Sequence, residues 1–203
     1  MSICYQKLIQ TQIQLEYDLT LEGDLIPRSG STQHARVVFY QFETYTRIGF
    51  RYDIPFSIRT RLRELTPETL LGNPVMVCAV LSQHCCCERV WRGSSLTFQS
   101  CPVQGAFPDV EQNGTAFVVV KNGLTISSAW PARENEFASE VIVETVPDFQ
   151  RRGYGAQVVS AWAHDVMSSG RVPFYSYESW NVASQALARY LLLVKFCDLI
   201  AYD

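Results

Sequence analysis

The residues with the clearest chemistry form one short run, Gln150-Arg151-Arg152-Gly153-Tyr154-Gly155-Ala156. It follows the apolar segment Val141-Ile142-Val143-Glu144-Thr145-Val146, closed by Pro147-Asp148, and precedes a helical pattern from Gln157 to Ser169. A strand, a basic glycine loop and a helix start, in that order, make an anion site. Glycines let the backbone approach a ligand closely. The first turn of a helix offers unpaired N–H groups and the positive end of its dipole. Two guanidinium groups suit a diphosphate. The pattern therefore predicts a site for the phosphates of a nucleotide or coenzyme.

Two common phosphate loops are excluded by spacing. A P-loop needs Lys-Ser/Thr after its last glycine, whereas Ala156-Gln157 follow Gly155. A dinucleotide fingerprint needs a third glycine three residues after the second. Valine stands there, at Val158, and no early βαβ pattern surrounds the run.

The elements that must hold this loop read as follows. Thr115–Val120 and Leu124–Trp130 flank Lys121-Asn122-Gly123, an Asn-Gly hairpin signal. Glu140–Val146 reads as a third strand, buried enough to show little alternation. The helix after the loop puts Val158, Val159, Trp162, Ala163 and Val166 on one core-facing side. Gly170–Tyr177 reads as the next strand, and Trp180–Arg189 as a loop and helix. Upstream, Leu8-Ile9, Ile13 and Leu15 suit either helix or strand. Residues 27–31 are a break, and Arg36–Phe42 with Arg47–Tyr52 suggest a hairpin. Helices are expected from Pro55, from Pro67 behind the N-cap Thr66, and from Pro74 behind Asn73. The organisation expected is an N-terminal extension over residues 1–52 and a domain over 53–203.

Bulk properties narrow the partners. The chain has 203 residues, 47% of them apolar, with net charge −3. That balance argues against a general nucleic-acid or anionic-membrane surface. No apolar run reaches the roughly 20 residues of a membrane span. Met1–Lys7 lacks a signal-peptide core, so a cytoplasmic location is expected. The seven cysteines are odd in number and irregular in spacing, which speaks against a disulfide scaffold. His84-Cys85-Cys86-Cys87 invites a metal reading, but zinc sites usually space their cysteines by two to four residues. No metal is expected, and reduced thiols at a helix end are the simpler reading.

Gln150-x-x-Gly153-x-Gly155 also matches, at every defined position, the Q/R-x-x-G-x-G/A loop of the GNAT superfamily of acyl-CoA-dependent N-acetyltransferases. The strand-and-proline lead-in Val143–Phe149, the strand after the helix, and Trp180-Asn181-Val182-Ala183-Ser184 resemble the same superfamily. Trp91–Ser94 and Phe137–Glu140 look like a bacterial branch of it. The resemblance is strong over about residues 115–195 and thin before about 90. It implies an α+β fold: a central, mostly antiparallel twisted sheet with flanking helices and a V-shaped splay between two central strands. It also implies acetyl-CoA as cosubstrate and an amine as acceptor.

By that resemblance, backbone N–H groups over Gln150, Arg151, Arg152, Gly153, Tyr154, Gly155 and Ala156 hold the coenzyme pyrophosphate. Val143 and Thr145 lie on the strand that pairs with the pantetheine arm. Asn181 resembles the asparagine that contacts the arm, with Ser184 beside it. An N-cap role for Asn181 is equally compatible with its position. Glu140 is the favoured base, on the same strand side as Glu144. The other reading of Glu140 is a structural carboxylate paired with Arg133 or Arg152. Many members carry a tyrosine acid seven residues after the asparagine. Here that position is Ala188, and Tyr190 lies about 200° around the helix from it. Tyr175, Tyr177 or water remain as proton donors. Leu191-Leu192-Leu193 replaces the usual glycine near the helix end. A strand closing the sheet is expected from the N-terminal segment or from a partner subunit as in a homodimer, or is absent. Two functions stay open: an N-acetyltransferase acting on a primary amine, or a non-catalytic acyl-CoA-binding protein on the same fold.

Overall fold

The structure, a computed structural model, describes residues 4–28, 35–84, 87, 89–102 and 107–203. In chain order the elements are α1 (Tyr5–Glu16), β1 (Tyr17–Leu19), β2 (Leu25–Pro27), β3 (Val37–Phe42), β4 (Tyr45–Phe50), α2 (Phe56–Arg63), α3 (Pro67–Gly72), α4 (Pro74–Leu81) and β5 (Val90–Thr97). They continue with β6 (Val110–Asn113), β7 (Ala116–Lys121), β8 (Leu124–Glu134), β9 (Ala138–Thr145), a 3-10 turn (Pro147–Phe149), α5 (Tyr154–Ser168), β10 (Val172–Glu178), α6 (Val182–Tyr190) and β11 (Val194–Tyr202). The chain divides into two compact units, Met1–Ser94 with Phe196–Asp203, and Ser95–Lys195.

In the first unit, β4, β3 and β11 pair antiparallel in that order. The strand closing on β11 is thus supplied by the N-terminal segment, through Val37–Gln41. α1 resolves the ambiguity at Leu8–Leu15 as a helix, because Ile9, Ile13 and Glu16 fall on one buried stripe. Two Pro-first helices begin where expected. Thr66 Oγ1 accepts from Thr69 N–H in α3, and Asn73 Oδ1 accepts from Met76 N–H in α4. Their apolar sides join Val37, Phe39, Phe50, Ile58, Leu62 and Tyr202 in one core.

The cysteine reading needs a correction. Cys78 and Cys87 form a disulfide, with Cα atoms 5.5 Å apart. The two lie nine positions apart, and their Cα separation falls in the bridging range. Cys4, Cys101 and Cys197 are not in a disulfide. Cys85 and Cys86 of the candidate metal run lie outside the described residues, as do Ser29, Gly30 and Ser31 of the early break. Among the described residues no group of three or more His, Cys, Asp or Glu could hold a metal ion. No described helix is long and apolar enough to cross a membrane.

In the second unit the strand order is β5, β10, β9, β8, β7, β6, with β5 entering from Ser95. Pairing through β9, β8, β7 and β6 is antiparallel. β9 and β10 run parallel and pair only through Ala138–Glu140 and Val172–Phe174. Beyond Glu140 and Phe174 they part, which is the V-shaped splay. β9 is therefore not buried throughout: Ile142 is 40% exposed and Glu144 is exposed. Strong alternation returns where the parallel neighbour is lost. α5 covers one side of this sheet. Its Val158, Val159, Trp162, Ala163 and Val166 pack with Phe117, Val119, Ile126, Val141 and Tyr175.

Candidate coenzyme and active site

The loop starts where β9 ends. Pro147 opens a tight turn, in which Phe149 N–H donates to Val146 O at 2.9 Å and Gln150 N–H to Pro147 O at 3.1 Å. Gln150 Nε2 reaches back to Thr145 O at 3.1 Å and ties the loop to the strand. Arg151 and Gly153 then take positive φ, 58° and 84°. Gly153 needs no side chain there, and its left-handed backbone turns the chain into α5. The first helical bond runs from Gln157 N–H to Gly153 O, and no side chain caps the helix. No described residue accepts from the backbone N–H groups of residues 151–156. That leaves a row of donors at the positive end of a 15-residue helix.

Gly155 packs closely against β9 and α6. A Cβ there would lie 3.3 Å from Thr145 Oγ1 and 3.8 Å from both Val143 Cγ2 and Leu187 Cδ2. Val143 and Thr145 thus turn their side chains toward α5. Thr145 Oγ1 is held by Ser127 Oγ at 2.9 Å. Arg151 and Arg152 are exposed, and the Arg152 guanidinium lies 5.4 Å from the Phe149 ring centroid. Lys121 adds a cation that the sequence reading did not bring here: its Nζ is 5.9 Å from the Tyr154 ring centroid. The signal was its place at the end of β7, but the register linking that end to the loop is tertiary.

Glu140 sits where β9 and β10 part, roughly 16 Å up the strand from Thr145. It is 5% exposed, and Arg133 Nε lies 2.8 Å from its Oε2. Of the two partners considered, it is Arg133 that pairs, because β8 sets Arg133 opposite Glu140. Glu144 points to the open side.

On β10, Tyr175 is 2% exposed and its hydroxyl donates to Ser184 O at 3.5 Å. Burial pushes its phenol above the usual range, opposed by the bond to Ser184. Tyr177 is half-buried one pleat further on. Asn181 is the N-cap of α6: its Oδ1 accepts from Ser184 N–H at 3.0 Å. Ala188 is buried at 2% exposed, while Tyr190 is 73% exposed and points away, as the helical angle requires. Where a glycine is usual, Leu192 adopts φ 54°. Leu193 N–H bonds Ala188 O and Leu192 N–H bonds Arg189 O, a Schellman ending built on leucine.

The structure thus brings Val143, Thr145, Gln150 and Gly155 together at the loop, and Asn181, Ser184 and Tyr175 of β10 together at the start of α6. Glu140 stands apart at the apex of the splay.

Residues 120–191 match the model of a family described as FR47-like protein. No curated protein matches the chain. Among solved structures, an acetyltransferase of the GNAT family from Colwellia psychrerythraea superposes with a TM-score of 0.52 at 9% identity, covering 99% of this chain and 97% of its own. A protein assigned to the GNAT family of acetyltransferases, from Novosphingobium aromaticivorans DSM 12444, gives a TM-score of 0.51 at 14% identity. That match covers 57% of this chain, which spans 65% of the relative's length. At such identities the likeness is one of fold. The chain has the fold of the GNAT superfamily, and the resemblance visible in the loop and its flanks holds.

Proposed function

We propose that this protein is an N-acetyltransferase that moves an acetyl group from acetyl-CoA to a primary amine by direct attack in a ternary complex. The observation that carries the reading is the uncapped start of α5. Its unpartnered N–H groups stand beside two arginines, at the mouth of the gap between β9 and β10. Fixed donors bind a pyrophosphate without reorganising. The pantetheine arm would run along the free part of β9, past Val143 and Thr145, with Asn181 and Ser184 on its other flank. The acetyl carbonyl would then approach the apex near Glu140.

Holding thioester and amine side by side supplies much of the rate. The amine must lose a proton, and Glu140 is the carboxylate at the apex. Its contact with Arg133 keeps it oriented, and a water would carry the proton to it. Tyr177, on the free end of β10, is the better placed of the two tyrosines to return a proton to the leaving thiolate, because the Tyr175 hydroxyl is committed to Ser184. The test is an acceptor screen that follows thiol release. Glu140→Gln should lower kcat about a hundredfold while leaving acetyl-CoA affinity within a few-fold. Unchanged turnover in this variant would remove Glu140 from the mechanism.

A second reading has its own support. Glu140 is already ion-paired, and Ala188 leaves the usual acid position filled by a methyl group. On that reading the protein binds an acyl-CoA without turning it over. Coenzyme binding with no thiol release across a broad amine panel would favour it.

A further inference from the structure

A second group of reactive side chains lies on α5 away from the loop. His164 is ten residues and about 15 Å along the helix from Tyr154. Its Nδ1 is 2.8 Å from Pro102 O and 3.4 Å from the sulfur of Cys101. A carbonyl can only accept, so Nδ1 carries the proton and its N–H is shared between Pro102 O and Cys101 Sγ. On the other side of the ring, Nε2 faces Ser168 Oγ at 3.5 Å. The Cys101 thiol is free and exposed. His164 also forms part of the wall of a pocket of about 280 Å³, with Phe107, Val110, Gln112, Phe117 and Asp165. Three of these walls are apolar, and none of these residues belongs to the coenzyme loop.

We propose that Cys101 and His164 form a thiol site that accepts an acyl group as a thioester from an acyl-CoA, with an apolar acyl chain lying in the adjoining pocket. The thiolate is the nucleophile in such an exchange. The Cys101 thiol releases its proton to water, and the N–H of His164 faces the sulfur as negative charge develops there. The sulfur attacks the thioester carbonyl carbon. A carbon–sulfur bond to Cys101 forms as the bond to the coenzyme sulfur breaks. The coenzyme leaves as a thiolate and takes up a proton from water, so no oxidant or reductant is needed. Phe107, Val110 and Phe117 favour a chain longer than acetyl, since each further methylene buried against them leaves water.

The site does not depend on the loop at 150–156, so either can fail without the other. The experiment incubates the intact protein with octanoyl-CoA or acetyl-CoA and maps acyl thioesters by mass spectrometry, with hydroxylamine release as the check. Cys4, also free and exposed, is the internal reference. We expect octanoylation of Cys101 at least tenfold faster than of Cys4, and faster than acetylation at Cys101 but not at Cys4. His164→Gln should slow Cys101 at least fivefold with Cys4 unchanged. Gln112→Trp, an exposed change that fills the pocket mouth, should abolish the chain-length preference. Cys101→Ser should leave acetyl-CoA affinity unchanged. Equal rates at Cys101 and Cys4, or rates indifferent to chain length or to His164, would overturn the proposal.

Discussion

Two helix starts in the second unit differ in one respect. α6 closes its own N-terminus: Asn181 Oδ1 takes the Ser184 N–H, and Asn181 N–H is bonded to Glu178 O. α5 leaves its N-terminus open, with glycine at the cap position and no side-chain bond. The short helices α3 and α4 also cap themselves, through Thr66 and Asn73. A capped helix gains about 1 kcal/mol from its own side chain. Forgoing that gain at the best-packed helix, beneath two arginines, is what an external anion would compensate. The comparison teaches that a glycine-rich start marks a ligand site only when the local backbone donors are left unpaired.

The comparison can be broken most sharply at the arginines. Arg151→Ala with Arg152→Ala should weaken acetyl-CoA binding about tenfold per guanidinium removed. Calorimetry at low and high salt should show the loss shrinking as salt rises. Affinity unchanged by the pair would mean that the open N-terminus is not where the diphosphate sits.

Asn181 separates capping from binding. Asn181→Ala should cost about 1 kcal/mol of stability. Asn181→Asp keeps the cap oxygen and loses the amide donor. Retained melting temperature with weaker coenzyme binding in that variant assigns the amide to the arm. Retained binding leaves Asn181 as a cap alone.

The end of α6 gives the smallest effect. Leu192 holds a left-handed backbone that costs a residue with a side chain roughly 1 kcal/mol. Leu192→Gly should therefore stabilise the protein by about that amount in denaturant unfolding, with coenzyme affinity unchanged. A destabilised variant would show that the exposed leucine makes a contact worth more than the strain.

Much of this was legible from residue types because it is local. The loop, its strand lead-in, the Asn122-Gly123 turn and the Pro-first helices each follow from a few adjacent residues. What sequence left open is tertiary. Whether Arg133 or Arg152 holds Glu140 depends on the register of β8 against β9, shifted by an irregularity between Pro131 and Arg133. The partial burial of β9 follows from where its parallel neighbour stops. The Cys78–Cys87 disulfide joins residues that irregular spacing gave no reason to pair. Cys101 and His164 are 63 positions apart and meet only because the chain after β5 passes α5. Lys121 reaches Tyr154 for a similar reason.

The most direct measurement is amide hydrogen exchange, residue by residue, with and without acetyl-CoA. In the free protein the N–H groups of residues 151–156 should exchange fast, and that of Ser184 slowly. Adding acetyl-CoA should protect residues 151–156 and leave Ser184 unchanged. Protection absent from 151–156 in a protein saturated with acetyl-CoA would contradict the account.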